Sequence, residues 1–322
     1  MKVLLFCLLT SHFLLPTLQA QSAPEDPGMR IVLMADINES YGSTHYGEYV
    51  DSAMAYVEKW RPDFILFAGD MIAGQSLSLS EVEIRDMWSG FDSTIGQPLR
   101  DMNIPFALTL GNHDGSGSGS FNHERELAKE YWSPHKPELR YVNSDHFPFY
   151  YSFTFEDLFV ISWDASNHLI TEEEIQWIEQ QLSQESAKEA SKRIMLGHLP
   201  LYAVAEGRNR HGEILNDADE LFEMMKRNGI NYYFSGHQHA WYPAEKEGLK
   251  MIHSGAQGSG PRTLIGSDLS QRRTITLLER DIGADLFSIT TYDLENQMEL
   301  VHPDELPEAI EGINGRIERY DH

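Results

Sequence analysis

Five apolar runs in this chain break off in the same way. "RIVLMAD" ends on Asp36, "DFILFAGD" on Gly69 and Asp70, and "IPFALTLG" runs into "GNHD", Gly111 to Asp114. "RIMLGH" ends on Gly197 and His198, and "NYYFSGH" continues through "GHQH", Gly236 to His239. Each run has the length and content of a buried strand, and helical patterns lie between the early ones. Val50, Ala53, Met54, Val57 and Trp60 fall at spacings of three and four, one apolar face of a helix. Residues 80–98 suit a second helix that begins after Ser80. Strand, helix, strand, helix, strand at this spacing predicts a mostly parallel sheet and an α/β fold. Ligands of such sheets bind beyond the carboxyl ends of the strands, so the five tips can converge. The glycines let the chain turn sharply and let backbone approach a bound ion.

The second half varies this pattern. "YYSFTFEDLFVISWD" alternates on either side of Glu156 and Asp157 and predicts a hairpin. A helix is expected over 172–184, with Thr171 as its N-cap and Glu174 completing a capping box. Another is expected near 216–228, and strands near 249–254, 273–279 and 286–293. "GSGSGS" at 115–120 predicts a flexible loop, and Trp88, Trp132 and Trp163 are expected in the core.

Residues 1–20 stand apart. Lys2 precedes an apolar stretch that closes on Ala20, the layout of a secretory signal peptide. Residues 21–28 then form a linker, 29–297 the folded domain, and 298–322 an acidic tail. Cys7 is the one cysteine of the 322 residues, so a processed chain has no disulfide, cysteine nucleophile or thiolate-bound zinc. Losing Lys2 leaves 24 basic against 50 acidic residues, a net charge of −26. That surface repels polyanions, so no nucleic-acid polymer is an expected partner. No later segment is apolar enough for stable membrane insertion. The expected location is secreted or periplasmic.

Singly, each strand tip has a plain explanation, since Asp and Asn often form turns and a lone His is usually structural. Their joint occurrence, each after an apolar run, points to a metal site. At these residues the chain resembles the calcineurin-like metallophosphoesterases, as an exported bacterial member. That family's D-x-H, G-D, G-N-H-[DE], lone His and G-H-x-H read here "DIN", "GD", "GNHD", "GH" and "GHQH". The resemblance spans about residues 30–255. It implies a four-layer αββα sandwich with two mixed β-sheets, and two divalent metal ions.

By the same resemblance, Asp70 bridges both ions. Asp36, Asn38 and His239 complete the first site, and Asn112, His198 and His237 hold the second. His113 faces the leaving group, and Asp114 orients its neighbours. Two divalent ions against Asp36 and Asp70 leave about +2, matched to a phosphoryl group. The implied reaction is attack of a metal-bound hydroxide on phosphorus. The implied substrate is a small phosphomonoester or phosphodiester, with nucleotides or lipid headgroups as the diesterase alternative. A catalytically inactive, ligand-binding relative is the other alternative, because Asn38 stands where the family has His.

Asn38 either ligates through its amide oxygen or hydrogen-bonds a water or the turn. As a ligand it makes the first site oxygen-rich, which favours Mn²⁺ or Fe there, with Zn²⁺ compatible with the second. Purple acid phosphatases also lack that His but place Tyr three residues after the bridging Asp, where this chain has Ala73. The loop "LPLYAVAEGRNRHGE" carries Arg208, Arg210 and His211, candidate substrate contacts or a solvated face. Arg125 and Arg262 are weaker candidates. Tyr41 and His45 follow the first tip closely, and His253 either supports the site or packs.

Overall fold

The computed structural model describes residues 28–258, 260–281 and 284–321. The expected signal peptide and most of the expected linker lie outside the described residues. The strands are β1 (Met29–Met34), β2 (Phe64–Phe67), β3 (Phe106–Leu108), β4 (Arg140–His146), β5 (Tyr150–Phe155), β6 (Leu158–Ser162), β7 (Lys192–Leu196), β8 (Tyr232–Ser235), β9 (Tyr242–Lys246), β10 (Leu249–His253), β11 (Thr274–Arg280), β12 (Ser288–Asp293), β13 (Glu299–Leu300), β14 (Ala309–Gly312) and β15 (Gly315–Arg319). The helices are α1 (Glu48–Trp60), α2 (Glu81–Phe91), α3 (Gln97–Met102), α4 (Asn112–Gly115), α5 (Asn122–Trp132), α6 (Glu172–Leu182), α7 (Glu185–Glu189) and α8 (Ala218–Arg227).

Among the described residues, one sheet has six strands, in the order β13-β12-β11-β1-β2-β3. The other has nine, β14-β15-β9-β10-β8-β7-β6-β5-β4. Both are mixed. β1, β2 and β3 run parallel, as do β6, β7, β8 and β10, while the outer strands are antiparallel. Alternation along β1 shows how the layers stack. Ile31 and Leu33 meet Phe153, Val160, Leu196 and Phe234 of the other sheet. Val32 and Met34 point the other way, against Val50, Ala53 and Val57 of α1 and Trp88 of α2. On the far side, Ile161 and Met195 pack with Ile178 of α6 and Leu221 and Met225 of α8. The result is the expected αββα sandwich. Burying a side chain such as Ile161, Leu196 or Phe234 contributes roughly 1.5–3 kcal/mol, and Trp88, Trp132 and Trp163 are fully buried, as expected.

Helix ends follow local chemistry. Ser80 closes a full capping box: its hydroxyl accepts from Glu83 N and the Glu83 carboxylate accepts from Ser80 N at 2.8 Å. The single helix expected over 80–98 is α2 and α3 joined by a π turn at Asp92–Gly96. Thr171 caps α6 by accepting from Glu174 N at 3.2 Å. The reciprocal half of that box is absent, because the Glu174 carboxylate instead accepts from Asp164 N at 2.7 Å.

Three regions differ from expectation. Within the expected tail, 298–322, residues 298–321 are described and are not an appended tail. β13 joins β12, and the β14–β15 hairpin extends the larger sheet along β9, with Ile310 and Ile317 buried. Few apolar residues among many charges hid that pattern. β4 and β9 are further unexpected strands; β4 is largely exposed, and β9 begins on "YP". The serine–glycine loop is held in place: Ser116 is buried and Gly117 N donates to Ser166 Oγ at 3.0 Å.

Candidate metal centre

The parallel registers bring the carboxyl ends of β1, β2, β3, β7 and β8 to one edge of the sandwich. Backbone stitches the tips together. Asp36 N donates to Gly69 O at 3.0 Å and Ile37 N to Asp70 O at 3.1 Å. His237 N donates to the Asp36 carboxylate at 3.0 Å. Asp36, Asp70, His237 and His239 all have left-handed backbone, with φ of 51°, 56°, 65° and 52°. Such residues cost of order 1–3 kcal/mol each and cluster where a site demands them. His237 and His239 thus reach the centre from a left-handed turn and not from an extended segment. Two glycines make room. A Cβ on Gly111 would collide with Asp70, and one on Gly69 would lie 2.5 Å from His198 Nδ1.

The buried donors form two triads that share one member. Asp36, Asp70 and His239 offer atoms all within 4.8 Å of one another, as do Asp70, His198 and His237. The hydrogen bonds around them show what they are built to hold. His198 Nδ1 is 2.7 Å from Ala68 O, and His239 Nδ1 is 2.9 Å from Gly260 O. A carbonyl only accepts, so both rings keep their proton on Nδ1 and turn Nε2 inward. His198 Nε2 then lies 3.1 Å from Asp70 Oδ2, and His239 Nε2 lies 3.1 Å from Asp36 Oδ1. Asn112 donates from Nδ2 to Gln75 Oε1 at 2.7 Å, which leaves its Oδ1 facing His198 Nε2 at 3.0 Å. At these three contacts, His198–Asp70, His239–Asp36 and His198–Asn112, lone pair meets lone pair, and a proton or a cation between them makes the contact favourable.

The titration of these groups shows the same tension. Burial lowers His198, yet Asp70 and Asp36 outweigh it and carry the imidazole up to about 9. Burial would raise Asp70, but His198 and His113 hold it well below the usual carboxylate range. Burial and the Arg208 charge push His237 down to about 3, which keeps it neutral. Oxygen and imidazole donors in two triads with a shared carboxylate fit a pair of divalent cations. When bound, such a pair supplies positive charge for phosphoryl oxygens and lowers the pKa of a coordinated water towards neutrality.

His113 is placed to move a proton. Its Nδ1 donates to Gly74 O at 2.9 Å, so Nε2 is the atom that gains or loses one. That Nε2 stands 4.0 Å from Asp70 Oδ2, near the centre without bonding to it. Asp114 touches no open space. Its carboxylate accepts from Met71 N, Ile72 N and Gly111 N at 2.7, 2.9 and 2.8 Å, which locks the second tip to the third. Burial and the charge of Asp70 push its carboxyl up to about 7.

A cavity of about 660 Å³ opens over the second triad, lined by Asn112, His113 and His237 among others. Arg208 and Arg210 line it, whereas His211 is exposed and lies outside its wall. Sequence reasoning passed over Glu213, which closes the same quoted stretch. Its carboxylate takes Arg208 at 2.8 Å, Arg210 at 2.7 Å and His237 Nε2 at 3.0 Å. Gln238, between the two histidines, was also passed over. Its Oε1 accepts from Val204 N and Ala205 N, both at 3.0 Å, and fixes the arginine loop to the metal loop. Tyr41 lines the cavity with its ring 5.2 Å from that of His113. Arg125 is engaged elsewhere, bonded to Asp164 at 2.5 Å and to Gly115 O at 2.9 Å. His253 is buried, with Nδ1 3.1 Å from Tyr242 O.

Asn38 is buried at the first tip, its backbone N donating to Asp70 O at 3.3 Å. No side-chain hydrogen bond of Asn38 to another described residue competes with its binding an ion or a water. Asn38→His adds a nitrogen donor there and is expected to raise the Zn²⁺ affinity of the first site, read by titration calorimetry. Unchanged affinity in a folded variant would show that Asn38 is not a ligand.

Two mixed sheets thus carry two donor triads that share one aspartate, Asp70. The family described as calcineurin-like phosphoesterase matches residues 29–241, and the chain belongs to it. Curated relatives named serine/threonine-protein phosphatase CPPED1 are similar. The Mus musculus protein is 23% identical over 238 residues, 71% of this chain and 69% of its own length. The Danio rerio protein is 22% identical over 229 residues, 69% of this chain and 67% of its own length. Among solved structures, purple acid phosphatase PPD1 from yellow lupin superposes with a TM-score of 0.62 at 14% identity, over 85% of this chain. The chain spans 52% of the length of that lupin enzyme. A dimetal phosphatase from Danio rerio gives 0.53 at 12% identity, over 83% of this chain and 96% of its own. At these identities the structural likeness shows the fold alone. The chain is a metal-dependent phosphoric ester hydrolase of a dimetal-dependent family. No helix among the described residues is long and apolar enough to cross a membrane.

Proposed function

We propose that the chain is an exported hydrolase of small phosphomonoesters or phosphodiesters. Asp36, Asn38, Asp70 and His239 would hold one cation. Asp70, Asn112, His198 and His237 would hold the other. The observation that carries this reading is the pair of buried triads meeting at Asp70. The cavity volume of about 660 Å³ lies in the range of small-molecule sites, and the acidic surface opposes polymeric anions. Export is supported by the pattern of residues 1–20. An oxygen-rich first site favours Mn²⁺ or Fe, and the imidazoles of the second suit Zn²⁺ as well.

Exhaustive chelation is expected to abolish hydrolysis of p-nitrophenyl phosphate, and added Mn²⁺ to restore it. Activity that survives full metal removal, checked by elemental analysis, overturns the reading. The same assay with bis-p-nitrophenyl phosphate separates monoesterase from diesterase. The names of the curated relatives add a phosphoserine peptide to the panel. Turnover of that peptide well above every small ester would replace the small-molecule reading.

A further inference from the structure

The wall that carries Arg208 holds another arginine, Arg262, whose side chain bonds neither a metal donor nor His113 among the described residues. Backbone keeps the two together. Glu206 N donates to Thr263 O at 2.9 Å, Ala205 and Leu264 form an antiparallel bridge, and Arg262 N donates to His239 O at 3.0 Å. The Arg262 guanidinium lies against Gly207, the residue before Arg208, where an added Cβ would sit 3.4 Å from Nη1.

The charges here are out of balance. Glu213 is the one carboxylate among the described residues lining the cavity, and it already serves Arg208 and Arg210. Arg262 has no ion pair and no side-chain hydrogen bond among the described residues, and its Nε is buried without a partner. Arg208 Nε is buried without a partner too. Buried donors without acceptors carry a desolvation cost that a bound oxyanion would relieve. Burial, and then the charge of Arg208, push the Arg262 pKa below its ordinary value. Three arginines against one carboxylate is the reverse of a chain with 25 basic and 50 acidic residues. The cavity is also far larger than a phosphoryl group, and the cation pair would already neutralise that group.

We propose that Arg262 and Arg208 form an oxyanion subsite beside the metal centre, which takes a second acidic group of the substrate, a carboxylate or a second phosphate. The proposal rests on the phosphoesterase reading for its substrate, but the guanidinium pair exists without metal. Planar guanidinium groups pair with either oxyanion through two parallel N–H donors. The substrate class is then a phosphate ester bearing a further negative charge a few bonds from the reacting phosphorus.

Two measurements test it. Chelated, dialysed protein is titrated with inorganic pyrophosphate by calorimetry. The unaltered chain is expected to bind it, Arg262→Gln at least about tenfold more weakly, and Arg262→Lys in between. Equal affinities, or no binding by the unaltered chain, overturn the subsite. Then kcat/KM of the Mn²⁺-loaded enzyme is compared within matched pairs. These are 3-phosphoglycerate against glycerol 1-phosphate, and fructose 1,6-bisphosphate against fructose 6-phosphate. The preference for the more anionic member is expected to fall at least about tenfold in Arg262→Gln. The pair whose ratio collapses identifies carboxylate or phosphate, and ratios unchanged in both pairs overturn the proposal. Pyrophosphate binding that depends on Arg262, in a protein that hydrolyses no phosphoester, supports the subsite and sinks the phosphoesterase reading instead.

Discussion

Asp70→Asn is expected to remove both metal ions and to lower kcat/KM by at least about 10³, beyond the 10²–10³ typical of losing one electrostatic donor. Asp70 is the one residue common to both donor triads. Asparagine keeps its shape and can still accept the bond that His113 N now makes to Asp70 Oδ1 at 2.8 Å. What it loses is the charge. His198 would then face a neutral amide, and each prospective cation would lose an anionic ligand while the second site lost its only one. Asp36 would remain as the sole carboxylate of the first. Elemental analysis of the folded variant is the measurement, with circular dichroism to confirm the fold. Two full equivalents of metal in folded Asp70→Asn would show that it bridges nothing.

Much of this centre was legible because its residues sit where apolar runs stop. The runs that became β1, β2, β3, β7 and β8 each carry a polar residue at the tip, and the tips meet at one edge because those strands run parallel within each sheet. What could not be read was the geometry between tips. Alternation along an extended backbone would separate the faces of His237 and Gln238, and nothing in the letters announces left-handed φ at His237 and His239. Supporting residues escaped for a similar reason. Gln75, Glu213 and Gln238 act on partners 37, 24 and 33 positions away, contacts that no local pattern encodes. Arg125 looked available after a flexible stretch, yet Asp164 claims it from across the fold.

The C-terminal strands show the opposite failure. β14 and β15 hold one buried isoleucine each, Ile310 and Ile317, surrounded by charges that face solvent. A two-residue apolar signal is too weak for periodicity to detect. The hairpin exists because β9 offers an edge to pair with, a tertiary fact. Asn314 of its turn donates to Leu201 O at 3.0 Å and to Leu215 O at 2.9 Å. Asn209, within the arginine loop, accepts from Ile313 N at 2.8 Å. Residues with no part in the chemistry thus hold both ends of the loop that carries Arg208.

His113→Ala should separate chemistry from metal binding, the reverse of the Asp70 variant. The ring is anchored through Nδ1 to Gly74 O, and its backbone N, which alanine retains, bonds Asp70. Neither ring nitrogen belongs to a donor triad. Metal content is therefore expected to stay at two per chain. The lost function is proton delivery from Nε2 to the departing oxygen, typically about 10²–10⁴ in rate. That loss must depend on the leaving group. An alkoxide needs the proton far more than p-nitrophenolate does, so kcat should fall steeply for glycerol 1-phosphate and only slightly for p-nitrophenyl phosphate. Equal losses on the two esters would mean that His113 stabilises charge without donating a proton. Metal lost along with activity would mean instead that the imidazole helps to hold the ions, and its assignment to the leaving group would fall.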